Sequence, residues 1–107
     1  MEEPTPDTPQ LLLSLVIPPT LADTAVEWLL EQPEISGFTS QPINGYGGAE
    51  HVMTPAERVA GYQKQVFIQV HLPPENLERV LSGFKESFSG SDIHYWIAPL
   101  VAAGHLI

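Results

Sequence analysis

The sequence contains no cysteine among its 107 residues. This excludes a disulfide-stabilised scaffold, a thiolate zinc site and a cysteine nucleophile. Basic residues are also scarce: there are 4 Lys and Arg against 13 Asp and Glu, so the formal net charge is −9. Such a charge argues against nucleic acid and anionic membranes as partners, and it suits cations or basic protein surfaces instead.

Signals for export, membrane insertion and catalysis are missing as well. No apolar run approaches the length of a membrane span, and the first residues, MEEPTPDTPQ, are acidic and proline-rich, unlike a signal peptide. We therefore expect a cytoplasmic location without direct membrane insertion. The sequence has no nucleophile with a base at motif spacing, no paired-carboxylate signature and no nucleotide fingerprint, so we expect a protein that is not an enzyme.

The chain has the length of one compact domain, and its hydrophobic fraction of 43% supports a buried core. Residues 1–9 combine three prolines with three acidic residues and have no large apolar side chain except Met1. This composition predicts a disordered tail. Residues 10–107 are then expected to form a single domain.

Apolar patterning and breaker residues predict four strands and two main helices. Pro18 and Pro19 end the first strand, Thr20 is expected to cap the first helix with Asp23 in a capping-box arrangement, and Pro42 indicates an edge strand. The strands are predicted over residues 10–17, 37–43, 65–72 and 92–99, and the helices over residues 20–32 and 74–88.

A long connection, residues 44–62, joins the second and third strands. It begins with NGYGG, which is typical of a turn. The stretch TPAERVAG then predicts a short helix with Thr54 as the cap, Pro55 at the first helical position, Glu57 completing a capping box and Gly61 ending it. Connections of this length inside small domains are usually either functional or mobile.

An internal repeat at an offset of about 55 residues indicates the topology. The phrase LSLVIPP in the first half aligns with IQVHLPP in the second, and the apolar helix positions then fall in phase. Two such β-α-β units predict an α+β, ferredoxin-like βαββαβ fold: a four-stranded antiparallel sheet with both helices on one face and the helix-leading strands in the centre. The predicted core is Leu13, Leu15, Val26, Leu29, Val66, Ile68, Val70, Leu77, Leu81 and Phe84.

The other face of this sheet is apolar, although a sheet face in water would be polar. Strand alternation places on it the residues that we expect to form an oligomer interface: Leu12, Val16, Phe67, His71 and Trp96. An exposed apolar patch of this kind most often marks a subunit contact, so the sequence predicts a homo-oligomer.

A βαββαβ domain of this length, with a long glycine-containing loop between strands two and three, resembles the PII-like superfamily. The phrases ISGFTS, AERVAG and HYWIAP, within a match from about Leu11 to Gly104, are more specifically similar to a bacterial family of PII-like proteins typically encoded beside heavy-metal efflux pumps of the resistance-nodulation-division type. The resemblance implies a trimer whose uncovered sheet faces pack around a threefold axis. It also implies that the long loop contacts a ligand or a protein partner, such as a membrane transporter or a regulator.

Two departures from nitrogen-regulatory PII proteins limit what the resemblance implies. Those proteins hold ATP phosphates with a glycine-rich stretch that contains a lysine, whereas the corresponding region here, LSGFKESFSGSDIHYW, has Lys85 and Gly90 without a GxGK-like run. The loop also lacks the tyrosine-bearing uridylylation sequence, because Tyr46 and Tyr62 lie at its ends in other contexts. The resemblance therefore does not extend to ATP binding or uridylylation.

Candidate ligand contacts concentrate in the loop. The backbone N–H groups of NGYGG are suited to an anion, and two of the few basic side chains lie nearby. The ligand-loop set is Asn44, Tyr46, Gly47, Gly48, Arg58 and Lys64. A plain turn with a solvated pair of basic side chains is the alternative interpretation. For a divalent metal the candidates are His51, Glu50 and His94, although no two histidines have tight ligand spacing and a hydrogen-bonded interface histidine is the simpler role.

Three functional hypotheses follow. The leading one is a PII-like trimeric binding and signalling module that regulates or assists heavy-metal efflux. The second is a divalent-metal-binding protein, and the third is a nucleotide sensor at the clefts between subunits. The cofactor stays open: a divalent metal fits the candidate residues, whereas ATP fits them poorly.

Overall fold

A computed structural model describes residues 9–47 and 53–106 of the chain. In chain order its elements are β1 (Gln10–Ile17), α1 (Pro19–Leu30), β2 (Phe38–Gly45), α2 (Pro55–Ala60), β3 (Gln63–Leu72), α3 (Pro74–Ser87) and β4 (His94–Leu100). The predicted βαββαβ order is confirmed, with α2 as the short helix of the β2–β3 connection. Residues 1–8 of the predicted tail lie outside the described residues. Over the described ranges, no helix is long and apolar enough to cross a membrane.

The four strands form one antiparallel sheet in the order β2-β3-β1-β4. The two helix-leading strands lie in the centre, as the sequence predicted. Both edge strands contain a proline, Pro42 in β2 and Pro99 in β4. Proline has no N–H group for a further strand, which is why sheets accept it at their edges.

Both long helices begin at the second proline of a Pro-Pro pair. α1 starts at Pro19 with Pro18 in the cap position, and α3 starts at Pro74 after Pro73; neither cap residue makes a side-chain hydrogen bond. The prediction that Thr20 caps α1 is wrong. Proline already has the φ of a first helical turn and needs no partner for an N–H group, so the cap position is Pro18, two residues before the predicted one.

α1 and α3 cover one face of the sheet and close the core. The buried hydrophobic residues are Leu13, Leu15, Ile17, Ala25, Leu29, Ile68, Val70, Leu72, Val80 and Phe84. The remaining members of the predicted core, Val26, Val66, Leu77 and Leu81, are only partly buried around it. Leu29 and Phe84 are buried as predicted, and beside them Ala25 and Val80 of the same helix stripes lie closer to the sheet than Val26 and Leu81.

The opposite face, called the open face below, consists of alternate residues of all four strands. By register these are Gln10, Leu12, Ser14 and Val16 in β1; Thr39, Gln41, Ile43 and Gly45 in β2; Gln63, Gln65, Phe67, Gln69 and His71 in β3; and His94, Trp96, Ala98 and Leu100 in β4. None of these strand residues is Asp, Glu, Lys or Arg. In a chain with a net charge of −9, this face is free of formal charge apart from its histidines.

An aromatic pair covers the middle of the open face. The rings of Phe67 and Trp96 stack with centroids 5.7 Å apart, although β3 and β4 are separated by β1. Two strand steps span about 10 Å, so both rings must lean over β1. Ser14, the cross-strand partner of Trp96, is 0% exposed there, and its hydroxyl has no hydrogen-bond partner in the described part of the chain.

Candidate functional site

α2 is a capped helix that stands away from the core. The Thr54 hydroxyl accepts a hydrogen bond from the Glu57 N–H at 3.1 Å, and the Glu57 carboxylate accepts one from the Thr54 N–H at 2.9 Å. Gly61 ends the helix with a φ of 84°, a conformation that favours glycine. The predicted capping box and glycine stop are therefore confirmed. Yet no residue of α2 is buried, and Val59 is 91% exposed.

Two tyrosines mark the base of the β2–β3 connection. The Tyr46 and Tyr62 rings lie 5.6 Å apart, just beyond the last strand pair, Gly45 with Gln63. The strands are longer than predicted, so Asn44 belongs to β2, where it pairs with Lys64 of β3. The turn thus begins at Tyr46 and Gly47 and not at Asn44, because cross-strand hydrogen bonding continues through the first two residues of NGYGG.

Two clefts separate α2 from the start of α1. One, of about 260 Å³, is lined by Pro18, Pro19, Thr20, Glu57, Gln63, Lys64 and Gln65. The other, of about 390 Å³, is lined by Pro19, Ala56, Glu57, Ala60, Tyr62 and Lys64. Lys64 and Glu57 line both clefts, so each has a cation and an anion in its wall. Of the predicted ligand-loop residues, Lys64 lines both clefts, Tyr46 and Arg58 are exposed but line neither, and Gly48 lies outside the described residues.

The histidines on the open face are too far apart to share a metal within one chain. His71 pairs with Leu12 and His94 with Val16, so they are two strands and four residues apart. This separates them by about 10 Å across the sheet and about 13 Å along it. His94 instead lies beside Trp96, with ring centroids 5.4 Å apart. Across the described residues no three His, Asp or Glu side chains cluster to hold a metal; Glu50 and His51 lie outside that part.

A further cavity, of about 280 Å³, lies between the end of α3 and the start of β4. Half of its lining residues are apolar or aromatic, namely Leu81, Phe84, Phe88, Ile93 and Tyr95, and the other half are Lys85, Ser89, Gly90, Ser91 and Asp92. The Lys85 ammonium group lies 5.1 Å from the centroid of the Tyr95 ring, a cation–π contact. The sequence did not predict this cavity. The strand alternation of β4 and the spacing of Phe84 and Phe88 were the available signals, but the gap depends on how the helix end meets the sheet.

The whole domain matches a described protein family. A family model described as "Protein of unknown function (DUF3240)" matches residues 7–107. Among curated proteins, none matches the sequence.

Solved structures show which fold this is. A DUF3240 family protein from Shewanella baltica OS155 has a TM-score of 0.73 at 24% identity, covering 94% of this chain and 98% of that one. CPII, a nitrogen regulatory PII-like protein from Thiomonas intermedia K12 bound to ADP, AMP and bicarbonate, has a TM-score of 0.67 at 19% identity, covering 92% and 97%. A Bacillus cereus protein related to NIF3 has a TM-score of 0.65 at 16% identity; the match covers 95% of this chain but 28% of that one. These likenesses establish a PII-like, ferredoxin-like fold.

Proposed function

Because the chain belongs to the DUF3240 family and has a PII-like fold, we propose that it is a binding and signalling module and not an enzyme. Three copies pack their open faces together, and the α2 segment of each copy contacts a ligand or a partner protein. We include a role in heavy-metal efflux in this proposal, and only the sequence resemblance supports that part.

The observation that carries the binding role is α2 itself. It has a reciprocal capping box and a left-handed glycine stop, yet it contributes no buried residue to the domain. Short helices gain their stability mainly by packing an apolar face against the rest of the protein. A helix that is capped but contributes no buried residue is therefore available to contact a ligand or a partner protein. The exposed Val59 and Tyr46 and the clefts beside Lys64 are the parts of that surface that a ligand would meet.

The assembly is supported by the composition of the open face. Around the Phe67–Trp96 pair it presents Leu12 and Val16 together with uncharged polar side chains such as Gln69, and it bears no Asp, Glu, Lys or Arg. Depletion of charge at an apolar centre is what distinguishes the core of a protein interface from ordinary surface. Trp96 is nevertheless 42% exposed in the single chain, so much of its ring is left for a neighbouring copy to cover.

A nucleotide is the second candidate ligand. CPII was solved with ADP and AMP, and its fold is that of this chain. Here the clefts between α2 and α1 offer Lys64 as a cation for phosphate, whereas the α3–β4 turn has no GxGK-like run. A divalent metal bound by Glu50, His51 and His94 is the third candidate, and of these residues only His94 lies in the part of the chain that the structure describes.

Calorimetry on a variant without α2 tests the proposal. Gly45 and Gln63 are paired, so an Asn-Gly turn can replace residues 46–62 without changing the register. Zn²⁺, Cu²⁺, ATP, ADP and AMP are titrated separately into metal-free wild type and into the variant. We expect a heat of binding that the variant loses, with its light-scattering mass and melting temperature retained. Equal binding by both proteins would contradict a ligand role for the α2 segment.

A further inference from the structure

Histidines are the only side chains of the open face that change charge near neutral pH. Among its strand residues these are His71 and His94, and none is Asp, Glu, Lys or Arg. Histidine has an ordinary pKa of about 6.5, within the physiological range. His94 lies beside Trp96 and is a candidate metal ligand, whereas His71 does not belong to the candidate metal set.

His71 is exposed in the single chain and lies next to apolar residues of the open face. Its cross-strand partner is Leu12 of β1, and Leu12 pairs in turn with Ala98 of β4. Gln69 is the next residue of β3 on the same face. A neighbouring copy that covers Leu12 would therefore cover the His71 imidazole as well.

No carboxylate of the described strands faces His71. β1, β2 and β4 contribute no charged residue to the open face. Two carboxylates at the same end of the sheet belong to its helix side: Glu34 lies 3.2 Å from Arg79 of α3, and Glu75 is in the first turn of α3. His105 follows β4 at this end, and the acidic residues of the predicted tail lie outside the described residues. A proton on His71 thus has no counter-ion among the described residues of this face.

We propose that protonation of His71 weakens the assembly, so that copies separate as the pH falls from about 7.5 to about 5.5. This inference rests on the proposed packing of open faces. A charged imidazole covered by a neighbouring copy would lose its hydration without gaining a counter-ion, so the assembly favours the neutral form. A free copy leaves the imidazole in water, where it takes up a proton. For a histidine with the ordinary pKa, this raises the dissociation constant about tenfold for each copy in the assembly.

The overall charge of the chain acts in the opposite direction. The formal net charge is −9 at pH 7 and the isoelectric point is about 4.6, so acidification to about pH 5.5 reduces the repulsion between copies. Overall charge alone would therefore strengthen the assembly at the lower pH. Weakening at the lower pH requires a group that binds its proton more readily in the free copy, as proposed for His71.

Light scattering over a dilution series at pH 7.5 and pH 5.5 tests this proposal. A chelator removes divalent metals, and the series is repeated in graded urea if dilution alone does not dissociate the assembly. For wild type we expect the concentration of half-dissociation to rise at least tenfold at pH 5.5, while circular dichroism stays that of a folded protein. His71→Gln keeps a polar side chain that takes up no proton, and it should lose this rise. His94→Gln is the matched control on the same face and should keep it.

The outcomes separate this inference from the proposed assembly. If wild type assembles as strongly or more strongly at pH 5.5, or if His71→Gln keeps the tenfold rise, His71 does not control the assembly, and the packing of open faces stands. If wild type is a single chain at every concentration at pH 7.5, both proposals are wrong.

Discussion

The two faces of the sheet are made by the same four strands, yet they are covered in different ways. The helix face buries ten hydrophobic side chains under α1 and α3. The open face has Phe67 and Trp96 stacked over β1, with Ser14 buried and unpartnered beneath them. On the first face the apolar surface is covered within the chain, and on the second it is only partly covered. In the proposed assembly, the second face is the one that a neighbouring copy covers.

The largest effect is expected from a charge at the centre of the open face. Trp96→Glu would bury an unpaired carboxylate between copies and remove half of the Phe67–Trp96 stack. We expect the light-scattering mass to fall to that of one chain, 11.7 kDa, while circular dichroism stays that of a folded protein. Trp96→Phe keeps a ring there and should keep the assembly. An assembled Trp96→Glu variant would mean that the open face is not the interface.

Leu12 and Leu13 are neighbours in β1 that point to opposite faces of the sheet. The same substitution at each position therefore distinguishes burial under the helices from burial between copies. Leu13 is 0% exposed, and Leu13→Ala should lower the free energy of unfolding by about 2–5 kcal/mol through lost transfer energy and a cavity. Leu12→Ala should mainly weaken assembly. Urea titrations at several protein concentrations measure both, and equal losses that do not depend on concentration would contradict the distinction.

The smallest expected effect is that of Ser14→Ala, and it is the one substitution here that should increase stability. Its buried hydroxyl has no partner in the described part of the chain, and an unsatisfied buried polar group costs about 1–3 kcal/mol. We therefore expect Ser14→Ala to raise the free energy of unfolding by about 1 kcal/mol, measured by urea titration. Ser40→Ala, at an exposed serine of β2, should change it by less than about 0.5 kcal/mol. A loss of stability in Ser14→Ala would indicate that assembly gives the hydroxyl a partner.

Much of the fold could be predicted because its signals are local. The repeat LSLVIPP and IQVHLPP fixes which strands lead the helices, and strand alternation then fixes which side chains share a face. The capping box of Thr54 and Glu57 also lies within one helical turn. Thr20 was misassigned because two local signals competed there, and the fixed φ of Pro19 prevailed over a side-chain cap.

What could not be predicted depends on distances across the fold. The order of the strands gives the spacing of His71 and His94 across the sheet. Their offset along the strands can be calculated only once the strand register is known. The burial of Ser14 requires knowing that two rings on different strands lean over β1. The choice of Ala25 over Val26 as the inner helix position depends on how the helix sits against the sheet. Gly48, Glu50 and His51 stay sequence-based candidates for the ligand site.

The prolines of the two edge strands have a consequence for behaviour at high concentration. Pro42 and Pro99 each remove one backbone donor from a sheet edge. A foreign strand that aligned with either edge would lose a hydrogen bond there and meet a pyrrolidine ring. The chain has an exposed apolar pair on its open face, but both edges of its sheet disfavour the addition of further strands. At high protein concentration we therefore expect discrete oligomers before fibrils.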